Sequence, residues 1–297
     1  MATTTRLLCS SASIFFHNFP ISSSFTFLPP LISKTRPEPL KVQGSYTQSC
    51  YLLINSEILD LEKTKTGEKI QEFHCVEEYD NNLQIFSQEK LVIAHFSASH
   101  YKYNAKIQQF MEEQCRLSNE VKFLHVMANE SEKTRQLCRR ENIEEIPHFV
   151  FYRKTEKIHE EAGFQRQKLV SNILYYRDDP FSPVVQLQSR EDLQKLIKVH
   201  KLDDKLIVLK VGKRQCRPCV KIYPSVLKLA SQMVGRAVFA RMNADENESC
   251  MKILREMDIL KVPTFLFVRN GEFCGRYVGS CASTLIREIV KLRSIKE

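Results

Sequence analysis

The 297-residue sequence contains no tryptophan, no acidic residue before Glu38 and no long uninterrupted hydrophobic run. Without a stretch of roughly 18 apolar residues, a membrane-spanning helix is not expected. Ten cysteines in a chain of this length are too sparse and irregular for a disulfide-stapled secreted scaffold. There is no zinc-finger spacing, no RNA-binding signature and no Lys/Arg block interleaved with aromatics, so nucleic acid is not an expected partner. The composition, 43% hydrophobic and 27% charged, is that of globular protein rather than disordered or collagen-like chain. At roughly 150 residues per domain, the length suggests about two domains.

The formal net charge of +9 is unevenly placed. Residues 1–60 carry 4 basic and 3 acidic side chains, residues 61–180 carry 18 and 20, and residues 181–297 carry 22 and 12. The basic character belongs to the C-terminal third. The N-terminal stretch is acid-poor and rich in Ser and Thr. Its apolar pieces, Ile14 to Phe16 and Phe25 to Leu28, are broken by His17-Asn18 and Pro29-Pro30. A secretory signal needs an unbroken apolar core of ~7–15 residues, so that reading fails. The composition fits an organelle transit peptide, plastid before mitochondrion, with an unaddressed disordered tail as the alternative. We assign residues 1–65 to a transit peptide and flexible N-terminal segment.

The remainder reads as one unit written twice. Leu91-Val92-Ile93-Ala94-His95-Phe96 returns as Leu206-Ile207-Val208-Leu209-Lys210-Val211, an offset of 115. Ile146-Pro147-His148-Phe149 returns as Val262-Pro263-Thr264-Phe265, and Gly163 as Gly279, both at an offset of 116. That is an internal duplication at domain length, with copies over 66–178 and 185–297. The second copy reads β-α-β-α-β-α-β-β-α. Ser189 and Asp192 open its first helix, Pro224 lies inside its second and is expected to kink it, and Asn270-Gly271 marks a tight hairpin.

Cys216-Arg217-Pro218-Cys219 lies where a buried strand feeds a helix. There the free N–H groups and helix dipole stabilise an anion at the first sulfur, and thiolate is the attacking species. The second thiol is one turn away, so a mixed disulfide on Cys216 can be resolved internally. Zinc binding is the competing reading of such a pair, but Cys250, Cys274 and Cys281 offer no second ligand pair. Cys274 and Cys281 read as unpaired structural cysteines or as a secondary redox pair. Lys210, Lys213, Arg214, Arg217 and Lys221 bracket the pair and are expected to favour its thiolate and to steer acidic protein surfaces towards it.

These features together resemble the thioredoxin superfamily, and within it the plastid drought-induced stress proteins built from two thioredoxin modules. The resemblance implies tandem α/β folds, each a central mixed sheet flanked by helices. It implies Cys216 as nucleophile, Cys219 as resolving thiol, and a cis Pro263 whose neighbour Val262 pairs with the substrate backbone. Arg217 would stabilise the thiolate. No cofactor is implied beyond the redox-active Cys216–Cys219 disulfide. The implied activity is a protein dithiol–disulfide reductase of the chloroplast stroma, acting in oxidative-stress defence and redox homeostasis. Its implied partners are disulfide-containing plastid proteins such as peroxiredoxins and methionine sulfoxide reductases.

The sequence departs from the family at several positions. Gln215 replaces the usual Trp, Arg217 a Gly, and Lys210 the buried Asp that assists the resolving thiol; the first copy has His95 there. Lys210, if desolvated, can accept a proton as a neutral amine; alternatively it snorkels to solvent and adds only positive field. The first copy carries Tyr101-Lys102-Tyr103-Asn104 in place of the cysteine pair and is expected to be redox-inactive. That leaves a second functional reading, a binding protein whose inactive first module recruits clients. An oxidase or isomerase is a third, because Pro218 and Arg217 push the redox potential in opposite directions.

Overall fold

The computed structural model describes residues 70–294; the transit-peptide assignment lies outside them. The first copy runs β1 (Gln71–Phe73), α1 (Val76–Phe86), β2 (Leu91–Ser97), α2 (Asn104–Leu117), β3 (Val121–Met127), α3 (Glu132–Arg140), β4 (His148–Arg153), β5 (Glu156–Ala162) and α4 (Arg166–Tyr176). The second runs β6 (Val184–Gln186), α5 (Arg190–Val199), β7 (Leu206–Gly212), α6 (Arg217–Gln232), β8 (Ala237–Asn243), α7 (Glu248–Glu256), β9 (Thr264–Arg269), β10 (Glu272–Val278) and α8 (Ala282–Ser294). The element order expected for the second copy is the one observed.

Each copy forms a five-stranded mixed sheet, in the orders β1-β3-β2-β4-β5 and β10-β9-β7-β8-β6. The first three strands of each copy pair in parallel and the terminal hairpin is antiparallel. These are tandem thioredoxin-like α/β folds. The unbroken apolar runs form the central strands β2 and β7, whose residues are all buried, as strands covered on both faces require. Both hairpins turn through two residues with positive φ, the geometry that matches strand twist. Asn270 and Gly271 are suited to it. Lys154 and Thr155 are not, and their turn is held by buried Ser87, which accepts from both backbone N–H groups, at 2.7 Å through its carbonyl and 2.8 Å through its hydroxyl.

The starts of α5, α3 and α7 are held by capping side chains. The Ser189 hydroxyl accepts from the Asp192 N–H, Ser131 does the same for Thr134, and Asn247 caps Cys250. Helix α6 continues through Pro224 to Gln232. The connection around Asp179-Pro180 is an ordered turn, with the Asp179 carboxylate accepting from the Phe181 N–H at 3.0 Å and pairing with Arg177 at 2.8 Å.

Alternation along the strands sorts the core into three clusters. Val92, Ala94 and Phe96 face a cluster of the first copy, and Leu209 and Val211 face one of the second. Leu91, Ile93, Leu206 and Val208 face a third cluster that both copies share. Ile173, Tyr175 and Tyr176 of α4 and Val220, Tyr223 and Val226 of α6 fill it. Lys210 and Gly212, continuing the alternation of Leu206 and Val208, therefore point towards the seam between the copies. Because they share a buried apolar cluster, the two copies should unfold together. Calorimetry of the full chain is expected to give one transition; two resolved transitions would contradict the shared core.

Candidate active site

Cys216 is the N-cap of α6, in extended backbone conformation, and its sulfur accepts from the Cys219 N–H at 3.3 Å. Pro218 occupies the first turn, where its missing N–H costs no helical hydrogen bond. Cys216 and Cys219 are joined in a disulfide with Cα atoms 5.2 Å apart, and both belong to the shared apolar cluster. Cys219 is fully buried and Cys216 is 7% exposed, so the first sulfur is the one nearer solvent. The Val262–Pro263 peptide is cis, as is its counterpart Ile146–Pro147, and Val262 packs against the same cluster as both sulfurs. Among the described residues no group of His, Cys, Asp and Glu has the arrangement of a metal site.

Lys210 does not snorkel. It is 1% exposed, its amine has no hydrogen-bond partner, and it lies over the rings of Tyr175 and Tyr223 at 4.7 and 5.7 Å. Burial, and secondarily the charge of Arg241, holds its pKa well below the usual lysine range. Arg241, the register partner of Lys210 on β8, donates to the Gln186 side chain at 2.5 Å and the Tyr175 carbonyl at 2.7 Å. The bracketing cluster of five cations is thus corrected: Lys210 is inside, and Arg214 pairs with Glu156 of the first copy at 3.5 Å. Lys213, Arg217 and Lys221 remain at the surface.

Three residues of this site are not evident in the sequence: Gly212, Arg241 and Tyr175. A Cβ on Gly212 would stand 3.0 Å from Lys210 Nζ, 3.3 Å from Cys219 Sγ and 3.3 Å from the Tyr175 hydroxyl. A side chain there would crowd three functional groups that converge on the same space. Arg241 carries a faint sequence signal, a second basic residue within an apolar strand in register with the first. Tyr175 carries none, because it comes from the other copy.

A cleft of about 1110 Å³ opens at Cys216 and is walled by both copies, with His159, Lys168 and Asn172 facing Gln215, Arg217 and Lys221. Burial first, with nearby Lys168 and Arg217, lowers the His159 pKa to about 4, so the imidazole is neutral at physiological pH. Cys274 and Cys281 are both free and exposed. Hydrogen bonds from Ser283 and Thr284 at the start of α8 lower the Cys281 pKa to about 6.

The duplicated sheet and the disulfide at a helix start define a thioredoxin-fold protein with a dithiol centre in its second copy. The thioredoxin family model matches residues 184–291, the second copy. The chain is 51% identical over 229 residues, 77% of its length and 75% of the relative's, to the chloroplastic thioredoxin-like protein CDSP32 of Arabidopsis thaliana. It is 32% identical to thioredoxin H7 of the same plant over 37% of this chain and 82% of that one. A crystal structure of a Nicotiana alata thioredoxin aligns with 24% identity and a TM-score of 0.35, covering 38% of this chain and 96% of that one. The chain belongs to the thioredoxin family of disulfide oxidoreductases.

A buried, unpartnered amine lowers stability at neutral pH. The folded pKa of Lys210 lies below its unfolded value near 10.4, so the unfolded chain binds the extra proton and stability rises with pH up to that value. Lys210→Met should therefore stabilise the protein by about 1–3 kcal/mol at pH 7. In urea titrations that gain should shrink towards pH 10. A gain that is absent, or that grows with pH, would contradict the burial.

Proposed function

We propose that the chain is a dithiol–disulfide reductase of chloroplast stromal proteins, with peroxiredoxins and methionine sulfoxide reductases as its substrate class. The observation that carries this reading is the bonded Cys216–Cys219 pair at the start of α6, its first sulfur facing the cleft. The chloroplastic relative, similar over most of both chains, supports the compartment. Among the described residues no helix is long and apolar enough to cross a membrane. We assign neither a membrane nor a nucleic acid as partner.

In the reduced protein the Cys216 thiolate attacks a substrate sulfur, forming a mixed disulfide and expelling the other substrate sulfur as thiolate. Cys219 then gives up its proton and attacks Cys216, which releases the second substrate sulfur and forms the Cys216–Cys219 bond. Two electrons pass from the pair to the substrate, whose thiolates take up two protons. A dithiol donor must return the pair to its reduced form. The pair itself is the redox group, with no bound cofactor, and Val262 beside Pro263 would hold the substrate backbone. Arg217, exposed and next to Cys216 in the chain, would stabilise the thiolate and attract acidic substrate surface.

The cleft supports a second role for the first copy, which carries no cysteine at the corresponding turn. Its β5 and α4 form one wall of the space into which any substrate of Cys216 must come, so it would select clients while the second copy reduces them. Cys219→Ser removes the resolving thiol and should accumulate mixed disulfides through Cys216 with the substrate proteins. If nothing is trapped, while the variant lacking both thiols still retains the same proteins, the chain is a recruiting protein and not a reductase.

A further inference from the structure

Family resemblance places an acid, not a lysine, beside the resolving thiol, and it gives no role to a neighbouring module. The seam between the copies supplies both departures. Tyr175, in the last turn of α4, is 2% exposed and reaches into the second copy. Its hydroxyl lies 2.9 Å from the Lys213 carbonyl and 3.0 Å from Asn243 Oδ1, able to donate to either, and its own carbonyl accepts from Arg241. Its ring packs edge-on against Tyr223, with centroids 5.4 Å apart, so the two rings cover Lys210 Nζ.

The same hydroxyl stands beside the space at Gly212 where Lys210 Nζ and Cys219 Sγ also meet. The amine and the sulfur are each so close to that one point that they can be no further apart than the sum of 3.0 and 3.3 Å. A single bridging water or a small side-chain movement spans such a gap. The groups facing the amine are few. From β8 comes Arg241, from α4 Tyr175, and from α6 Tyr223 and Cys219; the β9 register partner Phe265 carries no titratable group, and Asp245 acts on Tyr175 and accepts from the Arg214 N–H. Among the described residues no carboxylate is seen to act on Lys210, so exclusion of water first, and the charge of Arg241 second, disfavour the ammonium.

We propose that Tyr175 is a positioning residue of the second copy's active site: it seals Lys210 from water beside Cys219, and the neutral amine takes the Cys219 proton as that thiol resolves the mixed disulfide. The proposal rests on the reductase reading of the cysteine pair. In the step, the Cys219–Cys216 bond forms and the bond from Cys216 to the substrate sulfur breaks. The proton moves from Cys219 Sγ to Lys210 Nζ and then to the departing substrate thiolate. The ammonium formed in between faces the two tyrosine rings, whose negative faces favour a cation. The first copy thus acts in catalysis through one side chain, although it has no sulfur at its own turn.

The test compares the full-length reduced protein with Tyr175→Ala and Tyr175→Phe, using insulin as the disulfide and peptide-resolved mass spectrometry to follow resolution of the Cys216 mixed disulfide. The activity-independent readout is the pH titration of the Lys210 ¹³Cε resonance. With Tyr175→Ala, water reaches the amine and its titration midpoint should rise by about one unit or more. Resolution should slow about threefold to tenfold at pH 7 and recover towards pH 10, as for a base whose pKa has moved above the working pH. Tyr175→Phe keeps the ring and should restore both midpoints. Tyr175→Val, which removes less volume but still uncovers the amine, replaces the alanine variant should that variant fail to fold, with a rise of the midpoint in the same direction expected.

An unchanged Lys210 midpoint in Tyr175→Ala would overturn the sealing role. Faster resolution at pH 7 would mean that a charged Lys210 acts by attracting the thiolate, and would overturn the proton-acceptor role. If the unsubstituted protein forms no mixed disulfide with insulin, the reductase reading itself fails, an outcome distinct from either of these.

Discussion

The chemistry of this protein depends on where one helix begins. At Cys216 the backbone leaves the extended conformation of β7 and the following loop and enters α6, so the sulfur itself accepts the hydrogen bond that a serine or aspartate would otherwise take. An atom in that position meets the partial positive charge of the helix start, and a thiol there is easier to ionise than in free cysteine. The spacing of the pair follows from the same fact. Residue 219 is at the third helical position, so its N–H points at the Cys216 sulfur and its side chain turns inward to the shared core.

The duplication shows how much chemistry can change on one backbone. His95 and His125 of the first copy stand where Lys210 and Arg241 stand in the second, each pair in register across neighbouring parallel strands. The histidines stack at 5.1 Å, and burial keeps His95 neutral. Ser97 corresponds to Gly212 and donates to or accepts from His125 at 2.7 Å, filling the space that the second copy leaves open. Asn104, at the position of Cys219, donates instead to the Ala98 carbonyl. The first copy has therefore closed its own turn with polar contacts, while its last helix lends Tyr175 to the other.

Much of this is legible in the amino-acid sequence. The offset of the apolar runs gives the two copies, the unbroken runs themselves give the central strands, and Asn270-Gly271 gives a hairpin. The cysteine pair after a buried strand located the candidate site. What the sequence did not reveal has a common physical cause, packing between segments remote in the chain. Lys210 could be read as a surface cation because a strand pattern does not say what covers its face; Tyr223 and the other copy's Tyr175 do. Gly212 carries no sequence signal because the three groups that converge on it come from separate parts of the fold. Lys154-Thr155 gave no turn signal because Ser87, far upstream, stabilises that hairpin.

The claim on which the account stands is that the reduced Cys216 thiol ionises more readily than free cysteine. Its most direct test is the pH dependence of iodoacetamide alkylation in the reduced full-length chain, resolved by peptide mass spectrometry so that Cys281, whose pKa is also lowered, is scored separately. The account predicts a Cys216 midpoint at least about one unit below the ~8.5 of free cysteine. A Cys216 midpoint at or above that value would contradict it.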